Sequence, residues 1–538
     1  METTQVVIIG GGATGAGILW DLSLRGIRAV LLEKRDAANG ATGRCHGLLH
    51  SGGRYVVKDI AAARECLAEN LILKKTAPHC VHDVGGLFVM YPQDDPAFFT
   101  QWENAAKSIG MPVERLGAGE ALRLEPNLPG DVLGAFTCPD AHIDVFLLVL
   151  SNIEAAVGKG GTFRPYCEVT AINRTDGRVR SVSYRDSRSG EDGEIACEMV
   201  VNAAGGWAQA VAAMAGAEVP IRCDKGSLLI FNHNLTTRVV NRCRKPSDAD
   251  ILVPAGPSCI LGTSSITVPD PENLRAEPDE IRHLLGLGEE LIPLMKEARI
   301  MRIFSGARPL YTPKAAAGAG GREISRNFAL LDHEALDGIA GFVSIVGGKL
   351  TTYRLMAEKT SDLVAARLGV NEPCRTAEVP LRPAVDEAVL ARSRKLLPPQ
   401  AVAGALRRLG PNLARIVEAI EANPELAEIV CECEQVTKAE VAFALGKAAP
   451  VPARTINDVG RRTRLGFGTC QGTFCGYKAM LTGYQNRVWS AEEAADEFKI
   501  YLDERWKGQV QIPEGKQVEQ LYLSHDLFST AYNFHDQG

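Results

Sequence analysis

The chain opens with an unbroken apolar run, VVII at 6–9, then glycines, then an apolar-periodic segment reaching about Gly26. RAVLLEK follows directly. Short apolar runs bounded by glycine read as buried strands and the segment between them as a helix, so the opening is strand, glycine turn, helix, strand. Residues 60–80 show a helical pattern. Alternating runs between 164 and 205, such as RSVSYRD and IACEMVVNAAG, predict strands. GSLLIF at 226–231 and the stretch 251–262 predict strands of a second sheet, and 340–365 returns to strand, glycines and helix. Composition shifts near 373–390, around EPCRTAEVPLRPAVDE, and marks a boundary. Beyond it, 386–428 reads as a helical connector, 429–485 as a cysteine-bearing domain and 486–538 as a C-terminal tail.

A chain of 538 residues is long enough for two or three domains. Its 46% hydrophobic and 23% charged residues are ordinary for a globular protein, and a net charge of -6 argues against nucleic-acid binding. The start, METTQVVIIG, lacks a basic n-region, so no secretory signal is expected. The longest uncharged stretch, Gln5 to Trp20, is short and broken by five glycines, so no transmembrane helix is expected and membrane contact would be peripheral or through a partner. Ten of the 14 cysteines are scattered singly and read as reduced thiols of a cytoplasmic protein. The other four cluster near the C-terminal end and pose a metal question.

Gly10-x-Gly12-x-x-Gly15 lies between the first strand and its helix, and Glu33 follows Gly12 by 21 residues at the end of the next strand. Gly10 permits the tight turn and Gly12 lets the backbone approach a pyrophosphate at the helix N-terminus. Gly15 allows close helix–strand packing, and Glu33 accepts hydrogen bonds from a ribose. The motif predicts a dinucleotide site without choosing between NAD and FAD. FAD is favoured by the single fingerprint at the extreme N-terminus, by ATGRCHGLLHSGGRY at 41–55 and by VVNAAGGWA at 200–208, where the backbone could pass close to the cofactor. These assign Thr42, Gly43, Arg44, Ala204 and Gly205 to the cofactor, and Gly348 in VGGKLTTYR is assigned to it as well. The predicted fold is therefore α/β, with a Rossmann-type FAD-binding domain interleaved with a mixed-sheet substrate domain over 1–380, plus a small, mostly helical C-terminal domain.

Arg54 in HSGGRY, Arg308 in SGARPLY and Lys349 in VGGKLTTYR all flank glycine-rich or turn-like backbone. A lone basic residue is by default a solvated charge, but three beside glycine turns suggest a convergent anion site. His50 in LLHSGG reads either as a base for a substrate hydroxyl or as a structural histidine near the cofactor. Cys431-x-Cys433 and Cys470-x4-Cys475, separated by 36 residues, suit four thiolates on zinc or on an iron–sulfur cluster. Unligated packing cysteines are the remaining alternative. The nearby RRTR (Arg461, Arg462, Arg464) reads as a solvated basic face, or as charge balancing a cluster or docking a partner.

Taken together, GGGATGAG, ATGRCHGLLHSGGRY, KGSLLIF, NRCRKPSDADILVP, FSGARPL and GGKLTTYRLMAE resemble the catalytic-subunit family of anaerobic, FAD-dependent glycerol-3-phosphate dehydrogenases. The likeness covers nearly the whole chain. It implies oxidation of sn-glycerol 3-phosphate to dihydroxyacetone phosphate, with Arg54, Tyr55, Arg308 and Lys349 at the substrate and His50 or Lys349 as base. It also implies partners: a second flavoprotein-like subunit, an iron–sulfur subunit that anchors to the membrane, and quinone as eventual acceptor, placing the protein at the inner face of the cell membrane. The C-x-C and C-x4-C spacing resembles bacterioferritin-associated-ferredoxin-type domains, which carry a [2Fe–2S] cluster; zinc is the lesser alternative. Cys45 departs from the family pattern, where a polar amide residue is expected. Two rivals stay open: a flavin amine or amino-acid dehydrogenase with the same C-terminal module, and a non-catalytic electron-transfer subunit. Flavin takes two electrons and releases them singly, so flavin and cluster make sense as a relay if the fold brings them close.

Overall fold

The computed structural model describes residues 2–313 and 327–532. Its nucleotide-binding sheet has six strands in the spatial order Thr162–Arg164, Ala29–Leu32, Val6–Ile9, Met199–Asn202, Phe342–Gly347 and Phe328–Asp332. All pairs are parallel except the last. Val6–Ile9, Ala29–Leu32 and Met199–Asn202 are buried along their whole length. Packing elements cover both sheet faces, so these strands are continuous apolar runs rather than alternating ones. The helix Ala13–Leu24 is wedged between Val145–Val157 and Tyr353–Arg367. A β-carbon on its Gly17 would lie 3.1 Å from the Tyr353 ring, so a side chain there would push the helices apart.

Chain order reverses beside Val6–Ile9: Ala29–Leu32 lies on one side and Met199–Asn202 on the other. The crevice at the carboxyl ends of such strands is where doubly wound sheets take ligands. Gly10 sits there at φ +110°, and a β-carbon on it would meet the Ala203 carbonyl oxygen at 2.6 Å. Both the dihedral and the space therefore require glycine.

A second, mixed sheet of nine strands covers the crevice. Its long central pair, Ile221–Phe231 and Ile300–Tyr311, runs antiparallel and sets Asp224 opposite Arg308. The stretch 251–262 is a hairpin, Ile251–Ala255 with Ser258–Gly262.

After the nucleotide-binding region, Glu387–Leu396, Pro399–Leu409 and Leu413–Ala422 form three helices around a small apolar core. The expected tail from 486 needs correction. Helix Ala491–Gln509 inserts Phe498 and Tyr501 into the same core as Cys431 and Cys475, so 486 cuts through one folded unit. A further helix spans Lys516–Ala531, and residues 533–538 of the tail lie outside the described residues.

Candidate functional site

A cavity of about 470 Å³ runs from the glycine turn to the second sheet, within the range of cofactor and small-molecule sites. Gly10, Gly12, Glu33, Thr42 and Arg44 line it, as do Ala204, Gly205 and Gly348. Gly12 caps the helix Ala13–Leu24, and a β-carbon on it would point into the cradle 3.2 Å from Thr42 Oγ1. Thr42 Oγ1 also accepts from the Ala13 amide at 3.1 Å and ties the 41–43 turn to the helix N-terminus. Glu33 accepts from the Gly11 amide at 2.7 Å and from the Arg35 amide at 2.9 Å. Burial raises its carboxyl pKa against the pull of those amides. Gly15 and Gly43 stand behind the lining. A β-carbon on Gly15 would strike the Gly10 carbonyl at 1.9 Å, and one on Gly43 the Ala38 carbonyl at 2.2 Å. An open helix N-terminus, a carboxylate at the next strand end and a cradle that a side chain would fill together fit a dinucleotide. Cys45 also lines the cavity; burial pushes its thiol up to about 11, so it stays protonated at neutral pH.

The same cavity is lined by His50, Arg54, Tyr55, Arg308 and Lys349, which come from three separate stretches of chain. Lys349 Nζ lies 5.2 Å from the centre of the Tyr55 ring, and the His50 ring meets that tyrosine edge-on at 5.6 Å. Thr351 Oγ1 accepts from the His50 amide at 3.0 Å. Neither arginine is a bare charge. Arg54 pairs with Asp250 at 3.3 Å and donates to the Ser247 carbonyl at 3.1 Å. Arg308 pairs with Asp224 at 2.7 Å and donates to Thr263 Oγ1 at 2.9 Å and to the Ser264 carbonyl at 2.7 Å. These contacts fix each guanidinium in place before an anion arrives, which lowers the entropic cost of binding.

The four cysteines converge into a chain of contacts. Cys475 hydrogen-bonds to Cys431 and Cys470, and Cys470 to Cys433. The bond from Cys475, with the amides of Gly472 and Phe474, outweighs burial and pulls the Cys470 thiol down to about 5. The bond from Cys475, with the amides of Gly466 and Glu434, likewise brings Cys431 down to about 7. The same bonds push the Cys475 thiol up, so it is the protonated donor, while amide N–H groups aimed at Cys431 and Cys470 add to the pull toward thiolate, the form that binds metal. Among the described residues no group of three or more His, Cys, Asp or Glu is arranged to hold a single ion. Four cysteines brought together from two stretches of chain supply the donor set that a [2Fe–2S] cluster takes.

This module abuts the cavity wall. Phe467, beside the cysteine loop, meets Phe146 edge-on at 5.4 Å between ring centres, and Phe146 in turn packs where a β-carbon on Gly43 would lie. RRTR is neither a solvated face nor a free docking patch. Arg462 grips Asp36 with bonds of 2.8 and 3.0 Å, and Arg461 reaches the same carboxylate at 3.3 Å. Arg464 bridges Asp144 and Glu434.

Lys58, His46 and Trp207 also line the cavity; His46 and Trp207 fall within the stretches 41–55 and 200–208 without being singled out there, and Lys58 carries no motif that marks it. Lys58 follows HSGGRY by three residues, a nearby cation that does not itself touch a glycine. Asp224, which braces Arg308, lies just outside KGSLLIF and is recognisable only through strand pairing, and Asp250, which braces Arg54, lies within NRCRKPSDADILVP with nothing in the sequence to link it to Arg54.

The family described as "FAD dependent oxidoreductase" matches residues 5–354, and the "BFD-like [2Fe-2S] binding domain" matches 429–480. The chain is 39% identical to the A subunit of the anaerobic glycerol-3-phosphate dehydrogenase of Haemophilus influenzae, over 99% of this chain and 94% of that protein. It is 40% identical to the protein of the same name from Escherichia coli K12, over 94% of this chain and 93% of that protein. In fold it is similar to the FAD-complexed glycerol-3-phosphate dehydrogenase of Bacillus halodurans, with a TM-score of 0.74 and 21% identity over 96% of this chain and 97% of that one. With its two domain matches and this near full-length identity, the chain belongs to the FAD-dependent oxidoreductases and, among them, to the family of anaerobic glycerol-3-phosphate dehydrogenase A subunits.

Proposed function

We propose that the protein oxidises sn-glycerol 3-phosphate to dihydroxyacetone phosphate as the catalytic subunit of a multi-subunit dehydrogenase. The observation that carries this reading is that Arg54, Tyr55, Arg308, Lys349 and His50 line the cavity opened by the glycine turn. Gly10, Gly12, Glu33, Thr42 and Arg44 would hold FAD, and the four cysteines the [2Fe–2S] cluster. When bound, FAD supplies an acceptor for the hydride of C2 and can release the electrons singly to the cluster. Arg54 and Arg308 hold the phosphate through their fixed forks, Lys349 adds a compact charge, and this grip at one end of the substrate orients C2 at the other. His50 takes the proton of the C2 hydroxyl, with Lys349 as competitor for that role. The cysteine module passes electrons to partner subunits, a second flavoprotein-like chain and an iron–sulfur membrane anchor, and from there to quinone at the inner face of the membrane. That reading agrees with two observations. Among the described residues no helix is long and apolar enough to cross a membrane, and Phe474, next to Cys475, is 72% exposed.

An anaerobic titration of the purified, cofactor-loaded chain with glycerol 3-phosphate tests the reading. Loss of both flavin and iron–sulfur absorbance is expected. Reduction by a secondary amino acid, with none by glycerol 3-phosphate, would instead favour an amino-acid dehydrogenase.

A further inference from the structure

RRTR is the basic cluster nearest the cysteines in sequence, yet its charges are neutralised by Asp36, Asp144, Asp458 and Glu434. Two other arginines approach the cysteine loop without such neutralisation. Arg505, on helix Ala491–Gln509, donates from Nη2 to Thr473 Oγ1 at 2.6 Å and to the Cys470 carbonyl at 3.4 Å. Its Nε is buried with no hydrogen-bond partner among the described residues. Arg302 stands behind it. It crosses the same helix where a β-carbon on Gly508 would meet its side chain at 2.6 Å, and it donates to the Glu504 carbonyl at 3.2 Å. The Glu504 carboxylate acts on Arg302 from beyond ion-pair distance and is engaged by Lys507 at 3.9 Å. Among the described residues, no carboxylate lies within ion-pair distance of Arg302 or Arg505.

We propose that Arg505, reinforced by Arg302, raises the reduction potential of the cluster held by Cys431, Cys433, Cys470 and Cys475. The proposal rests on the reading that these cysteines carry a [2Fe–2S] cluster. One-electron reduction adds negative charge to a group already made anionic by four thiolates, and nearby cations with no carboxylate in ion-pair contact stabilise the reduced form more than the oxidised one. Partial burial limits screening by solvent ions. Arg505 is a positioning and tuning residue: its contacts go to the cysteine loop, not to substrate.

The test is a dithionite titration of the full-length, anaerobically loaded protein, with the reduced cluster followed by electron paramagnetic resonance and iron content measured alongside. Arg505→Gln is expected to lower the potential by roughly a tenfold shift in the redox equilibrium, about 59 mV for one electron. Arg505→Lys should restore most of it, and Arg302→Gln should move it in the same direction by less. Unchanged potentials in both glutamine variants at full iron content would overturn the proposal. If Arg505→Gln loses its iron, Arg302→Gln decides, since Arg302 makes no bond to the cysteine loop; an unchanged potential there is equally fatal. A wild-type chain that takes up no iron would refute the cluster reading itself, and that failure is told apart by the metal analysis.

Discussion

Arg302, Gly306 and Arg308 share one face of the strand Ile300–Tyr311, because side chains two residues apart point the same way. Arg302 meets the cysteine module, Gly306 lies against the Arg44 backbone (a β-carbon there would be 2.7 Å from its carbonyl), and Arg308 lines the end of the cavity proposed for the substrate. One strand face thus touches each region that electrons would cross. At its far end, Arg308→Ala should lower kcat/KM for glycerol 3-phosphate by about 10- to 100-fold, mostly through KM, since it removes a charged hydrogen-bonding fork. The buried Asp224 would be left unpaired, so a melting curve must accompany the kinetics; unchanged kcat/KM in a folded variant would remove Arg308 from the substrate site. His50 and Lys349 are separated by the pH profile. A base must be deprotonated to act, so activity rises with pH along its limb. His50→Asn is expected to lower kcat by roughly 10²- to 10⁴-fold and abolish that limb. Should Lys349→Met abolish it instead, with His50→Asn retaining it, the lysine is the base.

At the scale of elements, the cysteine loop is shaped from behind by a helix that the sequence pattern leaves in a tail. Tyr501 packs against Gly466, Gly472 and Gly476 at once. A β-carbon on Gly472, which sits at φ +85°, would lie 1.6 Å from the Tyr501 hydroxyl. Gly472→Ala therefore meets both a disfavoured dihedral and a collision, about 1–3 kcal/mol from the backbone alone. The expected outcome is a chain that keeps its flavin and loses iron, read as the flavin-to-iron ratio of the purified protein; a normal ratio would show that the loop tolerates the shift. The contrast explains what was legible in the sequence. The glycine turn and the cysteine pairs are contiguous, with spacing set by local geometry, and both could be read directly. So could the opening strand–helix–strand, whose strands are buried on both faces and so uniformly apolar. Helix Ala491–Gln509 announces itself poorly. Its buried positions, among them Phe498 and Tyr501, are interleaved with nine charged residues (AEEAADEFKIYLDERWKGQ), and its partners lie on the preceding loop. The braces of Arg54 and Arg308 were invisible for a related reason: strand pairing sets Asp224 opposite Arg308, and a tertiary contact brings Asp250 to Arg54 from 196 residues away.

At the scale of the molecule, the cysteine module is locked to the nucleotide-binding region by contacts bridging hundreds of residues. Arg462 and Asp36 are 426 positions apart, and Arg464 and Asp144 are 320. Tyr166 donates to Asp458 across the same joint at 2.9 Å, and the Phe146–Phe467 contact lies within it. The lock titrates in a definite order. Burial would raise Asp36 and Asp144, but the Arg462 and Arg464 guanidiniums beside them hold each near 2. A carboxylate depressed in the folded state contributes stability above its unfolded value, near 3.9, and loses it as pH falls toward 2. Three histidines where the helical connector meets the nucleotide-binding region respond earlier. Burial, reinforced by neighbouring cationic groups, lowers His79 and His142 to about 3 and His82 to about 4. His82 and His142 stack at 5.4 Å, and Arg407 from the connector lies 2.8 Å from His82 Nδ1. These rings are neutral when folded, whereas the unfolded chain binds protons below about 6.5, so each withdraws up to about 1.4 kcal/mol per pH unit from there down to its folded value. Melting temperature should therefore fall first through the histidines alone between pH 6.5 and about 4, and then below about 4 with the aspartates added while His79 and His142 act on to about 3. Calorimetry across that range checks the order, and a His82→Gln, His142→Gln double variant should shrink the first stage to the share of His79 and leave that of the aspartates. A melting temperature constant from pH 7 to 5 would mean that the histidines are not held neutral at this joint.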